Sequence, residues 1–351
     1  MAEKYLTLNP AAAIDEAVEA LDVDKVLIVT DTNVEKIVIP ELSRSNVVAH
    51  SPRVAINPGE EGKNLESVCR IWDKLEETGA TRRSLIINIG GGVVTDLGGF
   101  AASAFKRGIR TVNYPTTLLG AVDAATGGKT GINFRGLKNE IGAFHQPSRV
   151  IVSARPFASL PGNELLSGYA EMVKTAMISD RNFYSSLLEV EEILGDELKL
   201  GEAVAKCVEI KEEIVAQDPT EQGLRKVLNF GHTAGHAFES MAIEKRNSIT
   251  HGKAVAHGIL VALILSNIKL GLDSLEIAIY SPFLKNYYGT SLMNCKDTEE
   301  VLSKMKSDKK NRSHGQPSFT LLSEIGNPVI DCHPTEKEIK EALEIYRDIT
   351  G

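Results

Sequence analysis

The apolar run SLIINIG at residues 84–90 ends in three consecutive glycines, Gly90 to Gly92, and passes directly into a helical pattern over residues 94–106. A run of this kind without polar alternation reads as a strand buried on both faces, the situation of a parallel sheet covered by helices. Glycines at the strand-to-helix turn let main-chain amides approach a pyrophosphate with no Cβ in the way. The triplet is not the GxGxxG fingerprint, and glycines here also serve close helix packing, so it points to a nucleotide without specifying one.

The rest of the N-terminal half repeats the pattern. The runs KVLIVTD, RVAIN, SLIINIG, RTVNYP and RVIVS alternate with helical stretches at 33–42, 65–77 and 94–106. This predicts an α/β, Rossmann-like nucleotide-binding domain over residues 1–158. From Pro161 the texture changes to period 3.6, with helices expected at 165–178, 201–217, 228–241 and 255–270. A mostly α-helical C-terminal domain over residues 159–351 is therefore expected, with one β-like run, FTLLSEIGNPVI, and a last helix capped by a Thr335/Glu338 box. The prolines between Arg155 and Pro161 mark the boundary.

Composition excludes several classes. With 47 acidic against 39 basic residues and 5% aromatics, the chain has neither the basic stripe nor the stacking surface that nucleic acid requires. Its four cysteines, Cys69, Cys207, Cys295 and Cys332, form no CxxC pair, so neither a disulfide framework nor a thiolate zinc site is implied. The longest apolar run, 259–265, is well short of the roughly 20 residues of a membrane span. A soluble protein of the cytoplasm is expected.

Chemistry concentrates in two places. In PTTLLGAVDAATGGKTGIN, Gly127 and Gly128 set Lys129 beside a second potential anion site, with Lys138 and Asn139 close behind. GGKT resembles the end of a Walker loop, but Asp123 stands where that loop needs glycine, which disfavours ATP hydrolysis. Asp96, expected in the first turn of the following helix, either caps free amides or accepts from a ligand. In NFGHTAGHAFE, His232 and His236 lie four apart on one helix face, and His251 follows within twenty positions. Thr233 replaces the glutamate of a zincin, so peptide hydrolysis is not implied. A divalent ion held by nitrogen also calls for a carboxylate, and Glu171 in SGYAEMVKTAM is the best candidate. Lys211, Arg225 and Asn229, near the histidines in sequence, suit an anionic substrate.

These residues, with PGEEGK, KNEIGAFHQP, HG at His251 and DKK at 308–310, resemble the 3-dehydroquinate synthase family nearly end to end. The resemblance implies a Rossmann-like domain binding NAD, a helical domain holding Zn²⁺ or Co²⁺, an active site in the cleft, and a homodimer. It implies that Glu171, His232 and His251 hold the metal, which leaves His236 for substrate. Lys129, Asn139, His236 and Lys309 match residues around the substrate phosphate. Lys211, Arg225 and Asn229 match those near its carboxylate and hydroxyls, and Arg107 one that reaches the neighbouring subunit's site. Asp31, Glu60 and Lys63 match the adenosine side of the nucleotide pocket. Gly91, Gly92, Asp96, Thr116, Thr117 and Asp123 match the pyrophosphate and nicotinamide side, and Lys138 also counts with the cofactor residues.

The activity implied is conversion of 3-deoxy-D-arabino-heptulosonate 7-phosphate (DAHP) to 3-dehydroquinate and phosphate, with transient oxidation by NAD and no net redox change. Three positions depart from the family pattern. Asn163 in SLPGNE stands where the family carries arginine. Lys253 and His257 stand where it commonly has glutamate and an apolar residue, which makes His257 the nearest competing ligand. The rivals are a related sugar phosphate cyclase, a metal-dependent polyol dehydrogenase, which would lack the GGKTGIN and KN elements, and a non-catalytic NAD sensor.

Overall fold

The computed structural model describes residues 5–307 and 316–351, which fall into two compact units. The first comprises the described residues up to Pro161 together with Glu191–Glu213, and the second comprises Gly162–Val190 and the described residues from Ile214 on.

In chain order the first stretch contains α1 (Pro10–Ala20), β1 (Val26–Asp31), α2 (Thr32–Ile37), α3 (Asn46–His50), β2 (Arg53–Ile56), α4 (Leu65–Glu77), β3 (Leu85–Gly90), α5 (Gly92–Ala104), β4 (Arg110–Pro115), β5 (Lys129–Phe134), β6 (Leu137–Phe144) and β7 (Arg149–Val150). Five strands form one sheet in the order β2-β1-β3-β4-β7, every pair parallel. Because side chains alternate along a strand, Leu27 and Val29 of β1 join a core with Val68, Ile71 and Leu97 on one face. Ile28 joins Ile14, Ile87 and Ile89 on the other. All six residues of β3 are buried, and each large aliphatic among them is worth roughly 1.5–3 kcal/mol of burial. The α/β class expected from the glycine-terminated apolar run is what the chain adopts.

Two local expectations are corrected. The helix after the triplet is α5, and it breaks at a turn where Lys106 and Arg107 both have positive φ, 49° and 70°. RVIVS supplies only the two-residue strand β7. The strand pattern did not show the antiparallel hairpin β5 with β6, which GGKTGIN opens. Its two-residue connection, Arg135 and Gly136, has φ of 49° and 82°, as tight hairpins demand.

The later elements are α6 (Gly162–Met177), α7 (Arg181–Ser186), α8 (Val190–Leu194), α9 (Glu197–Gln217), α10 (His232–Glu244), α11 (His251–Leu270), α12 (Ser274–Tyr288), α13 (Thr298–Lys306), β8 (Phe319–Glu324), β9 (Asn327–Cys332) and α14 (Glu336–Thr350). The second unit is mostly helical around α11. Among the described residues this is the one helix long and apolar enough to cross a membrane, and 72% of its apolar window is buried inside the protein, as in a core helix. The capping box of Thr335 and Glu338 starts α14 as the pattern predicts. The helix expected over 228–241 is interrupted: a 3₁₀ turn, Leu224–Asn229, precedes Gly231 at φ 77°, and α10 begins at His232. A side chain at Gly231 would also strike Ile259 of α11, so the turn that breaks the helix here admits only glycine.

Candidate metal centre and nucleotide turn

Two close approaches in the second unit bring distant residues together. At Gly252 a Cβ would lie 2.0 Å from the Ser167 carbonyl oxygen, so only glycine allows α11 to touch α6 there. The amide of Gly252 donates to Ser167 Oγ at 3.0 Å. At Gly258 a Cβ would lie 2.1 Å from the Gly231 carbonyl oxygen, which locks α11 against the start of α10. The first contact carries His251 to Glu171 and the second brings His232 beside both.

Ligand atoms of Glu171, His232 and His251 lie within 4.8 Å of one another, the one such group among the described residues. Nε2 of His232 is 3.4 Å and Nε2 of His251 is 3.5 Å from Glu171 Oε1. Ligands held about 2.0–2.1 Å from a tetrahedral zinc stand roughly 3.3–3.4 Å apart, so these separations fit such an ion. The buried Oε1 atom has no hydrogen bond, an orphaned acceptor that a cation would satisfy. Each imidazole is turned by its other nitrogen. His232 Nδ1 donates to the Phe230 carbonyl at 3.1 Å, and His251 Nδ1 donates to Glu239 Oε2 at 3.1 Å. Protons on Nδ1 turn both Nε2 atoms toward Glu171, the outer-shell arrangement of a metal-bound histidine.

Electrostatics agree. Burial pushes Glu171 toward protonation, but the Lys174 ammonium, 2.7 Å away, and the two imidazoles hold its carboxyl well below the usual range. Burial disfavours charge on His251, yet Glu171 and Glu239 raise it to about 10, so an arriving cation would displace a proton held by carboxylates. The sequence allowed a Glu171–Lys174 pair, but as an exposed one, and here it is buried. Glu239 escaped the sequence reading; it lies seven residues after His232, a signal that needed the position of His251 to be read.

His236 lies beside this group, its ring centroid 5.4 Å from that of His232 and 6.1 Å from that of His251. His257 lies apart from it: fully buried, its Nδ1 stands 2.8 Å from the Tyr346 hydroxyl. Arg225, 2% exposed, donates to the Pro219 carbonyl, and Asn229 donates to Glu221 at 2.8 Å. Lys309 lies outside the described residues.

In the first unit the glycine triplet meets the segment after β4. A Cβ at Gly91 would lie 2.9 Å from Thr117, and one at Gly92 would lie 3.0 Å from the Ala124 methyl. The amide of Thr116 donates to the Gly90 carbonyl, and Thr117 Oγ1 accepts from Gly120. A π-helical turn, Gly120–Ala124, follows and carries Asp123, whose carbonyl and carboxylate both accept from the buried Lys211 ammonium. Thus Gly91, Gly92, Thr116, Thr117 and Asp123 are neighbours, and Lys211 joins them. Asp31 caps α2 by accepting from Asn33 and Val34.

Asp96 departs from expectation. It sits in the second turn of α5, caps nothing, and meets the Lys63 ammonium at 2.5 Å. Burial outweighs that lysine and raises its carboxyl to about 6. The same ammonium donates to Asn139 Oδ1 at 2.5 Å, and Glu60 accepts from Asn133 at 2.7 Å. Lys129, Lys138 and Asn139 all lie exposed on the hairpin, and Arg107 is exposed at the left-handed turn after α5.

Comparison with known proteins agrees over most of the chain. Residues 53–167 match the family 3-dehydroquinate synthase N-terminal, and residues 168–311 match 3-dehydroquinate synthase C-terminal. A 3-dehydroquinate synthase of Parabacteroides distasonis is 41% identical over 338 residues, 96% of each chain. That of Thermococcus kodakarensis is 37% identical over 346 residues, 99% of this chain and 96% of its own. Among solved structures, a 2-epi-5-epi-valiolone synthase of Streptomyces hygroscopicus with NAD⁺ and Zn²⁺ bound superposes with a TM-score of 0.83 at 25% identity, covering 98% of this chain and 96% of its own.

Proposed function

The chain belongs to the 3-dehydroquinate synthase family, and from that membership we infer that it converts DAHP to 3-dehydroquinate and inorganic phosphate with NAD and a divalent metal as cofactors. The observation that carries the reading is the convergence of Glu171, His232 and His251, with Glu239 and the Phe230 carbonyl orienting the two imidazoles. When bound, the metal supplies Lewis acidity at a substrate hydroxyl and NAD supplies a reversible hydride acceptor.

In the second unit, Glu171, His232 and His251 hold the metal, and His236 faces substrate. Arg225, Asn229 and Lys211 are assigned to its carboxylate and hydroxyls. Around the nucleotide, Gly91, Gly92, Thr116 and Thr117 present main-chain and hydroxyl groups, Asp96 and Asp123 accept from it, and Asp31, Glu60, Lys63 and Lys138 complete its pocket. Lys129, Asn139 and Lys309 are assigned to the phosphate. Fixed cations suit a step in which phosphate departs, because preorganised charge costs no reorganisation as negative charge develops.

We also propose a homodimer in the cytoplasm. The hairpin exposes Phe134 and its cross-strand partner Leu137 side by side, and burying such a pair against a second copy removes it from water. Arg107, exposed on the same unit, is the residue that reaches the neighbour's site. The four cysteines are free thiols, as a reducing compartment keeps them.

The test is one assay. Purified protein given DAHP, catalytic NAD⁺ and Zn²⁺ or Co²⁺ releases inorganic phosphate with no build-up of NADH, and chelation stops it. Steady NADH growth would instead mean a polyol dehydrogenase, and NAD binding without turnover a sensor.

A further inference from the structure

The β5–β6 hairpin is irregular at one place. Phe134 pairs with Leu137 and Ile132 with Ile141, so the three residues Lys138, Asn139 and Glu140 stand opposite the single residue Asn133. Asn139, at the centre of this bulge, has φ of 52°, a left-handed conformation that asparagine tolerates when its neighbours hold it. Two groups do so. Asn133 Oδ1 accepts from the Asn139 amide at 3.0 Å, and the Lys63 ammonium donates to Asn139 Oδ1 at 2.5 Å.

Both holders are tied to the turn that carries Glu60. The Asn133 side chain donates to the Glu60 carboxylate at 2.7 Å and to its carbonyl at 3.2 Å, while the Asn133 amide donates to the Lys63 carbonyl at 2.9 Å. Lys63, only 3% exposed, spends its charge on Asp96 as well as on Asn139. With its oxygen committed to that ammonium, the Asn139 side chain is oriented to present its amide hydrogens, the half that an oxyanion accepts.

We propose that Asn133 and Lys63 are positioning residues that set Asn139 in its bulge and couple it to the Glu60–Lys63 turn, so that filling the nucleotide pocket strengthens phosphate binding. A dinucleotide that bonds Glu60 or Asp96 holds the turn carrying Lys63 in place, and with it the groups that set Asn139, so less ordering remains to be done when phosphate binds. Through that shared set the two occupancies become linked, and linkage is reciprocal. This rests on the reading of Asn139 as a phosphate ligand and of Glu60 and Lys63 as nucleotide residues.

The experiment measures the affinity of the full metal-loaded chain for inorganic phosphate, with and without saturating NAD⁺, by calorimetry. NAD⁺ is expected to tighten phosphate by about tenfold in the parent protein. Asn133→Ala brings that ratio to within about twofold of unity, and Asn133→Asp, which keeps the acceptor for Asn139 but repels Glu60, restores phosphate affinity without restoring the coupling. Unchanged metal content and melting temperature check that the variants are folded. Full coupling in Asn133→Ala, where Asn139→Ala does weaken phosphate, would overturn the inference alone; phosphate affinity indifferent to Asn139→Ala would sink the reading beneath it. Absence of any coupling in the parent protein would also overturn the inference.

Discussion

His251 is gripped from both sides of its ring by carboxylates: Nε2 lies 3.5 Å from Glu171 and Nδ1 3.1 Å from Glu239. The first faces the position of the metal and the second fixes which nitrogen carries the proton. Removing Glu239 therefore changes no ligand but frees the ring. Glu239→Ala should weaken Zn²⁺ binding by about 10- to 100-fold while Glu239→Gln, which still accepts a hydrogen bond, loses less. Competition with a chromophoric chelator measures both, and equal affinities in parent and Glu239→Ala would exclude the orienting role.

Glu171 and Lys174 are a buried pair, 1% and 3% exposed. Taking away the carboxylate leaves an ammonium without its closest counter-charge. Glu171→Ala should therefore cost roughly 3–5 kcal/mol of stability in the metal-free protein, besides abolishing metal binding. His232→Ala, which removes a ligand but strands no charge, should lose the metal at a smaller cost. Urea denaturation of the chelated variants compares them, and retention of full zinc content by His232→Ala would refute the ligand set.

The fully buried His257 makes stability depend on pH. Burial lowers its pKa to about 3, and the nearby Lys253 adds to this against a partly opposing contact with the Tyr288 backbone. A histidine depressed in this way stabilises the fold above its unfolded pKa of about 6.5, and the contribution is lost as pH falls toward the folded value. At pH 5 the loss is about 2 kcal/mol. His257→Gln, which keeps a polar partner for Tyr346 but cannot titrate, should flatten the decline between pH 6.5 and 4. An unaltered slope in urea titrations across that range would show that other groups cause it.

The apolar face of the hairpin should govern assembly. Leu137, 50% exposed, and its cross-strand partner Phe134, 38% exposed, cost little in the monomer when replaced by lysine, but two buried charges facing their copies would break a symmetric contact. Light scattering on the eluting peak should give a mass near twice 38.1 kDa for the parent and near 38.1 kDa for the Phe134→Lys, Leu137→Lys double variant. A variant that remains dimeric would place the contact elsewhere.

Much of the architecture was legible because its signals are local. The apolar run before Gly90 identifies a two-face-buried strand, Leu65–Glu77 shows its amphipathic period, and the Thr335/Glu338 box announces a helix start; each depends on side chains a few residues apart. The hairpin was hidden, because its turn residues Arg135 and Gly136 are flanked by strands without clean alternation and its bulge at Asn139 disrupts the period of two. Asp96 was misplaced for a similar reason, since the sequence suggests that a helix starts near the glycines but not which glycine is its cap.

By itself the sequence determined which elements form and which residue types stand ready: two histidines four apart, a glutamate on an apolar helix, glycines at a strand's end. Tertiary structure alone decided which of them meet. Glu171, His232 and His251 converge because Gly252 lets α11 close on α6 and Gly258 lets it close on the start of α10, and Lys63 reaches Asn139 because a bulge turns that residue toward it. Local propensity acts over a few bonds, whereas the position of a side chain sixty residues away is set by steric contact between packed elements, which no short window of sequence contains.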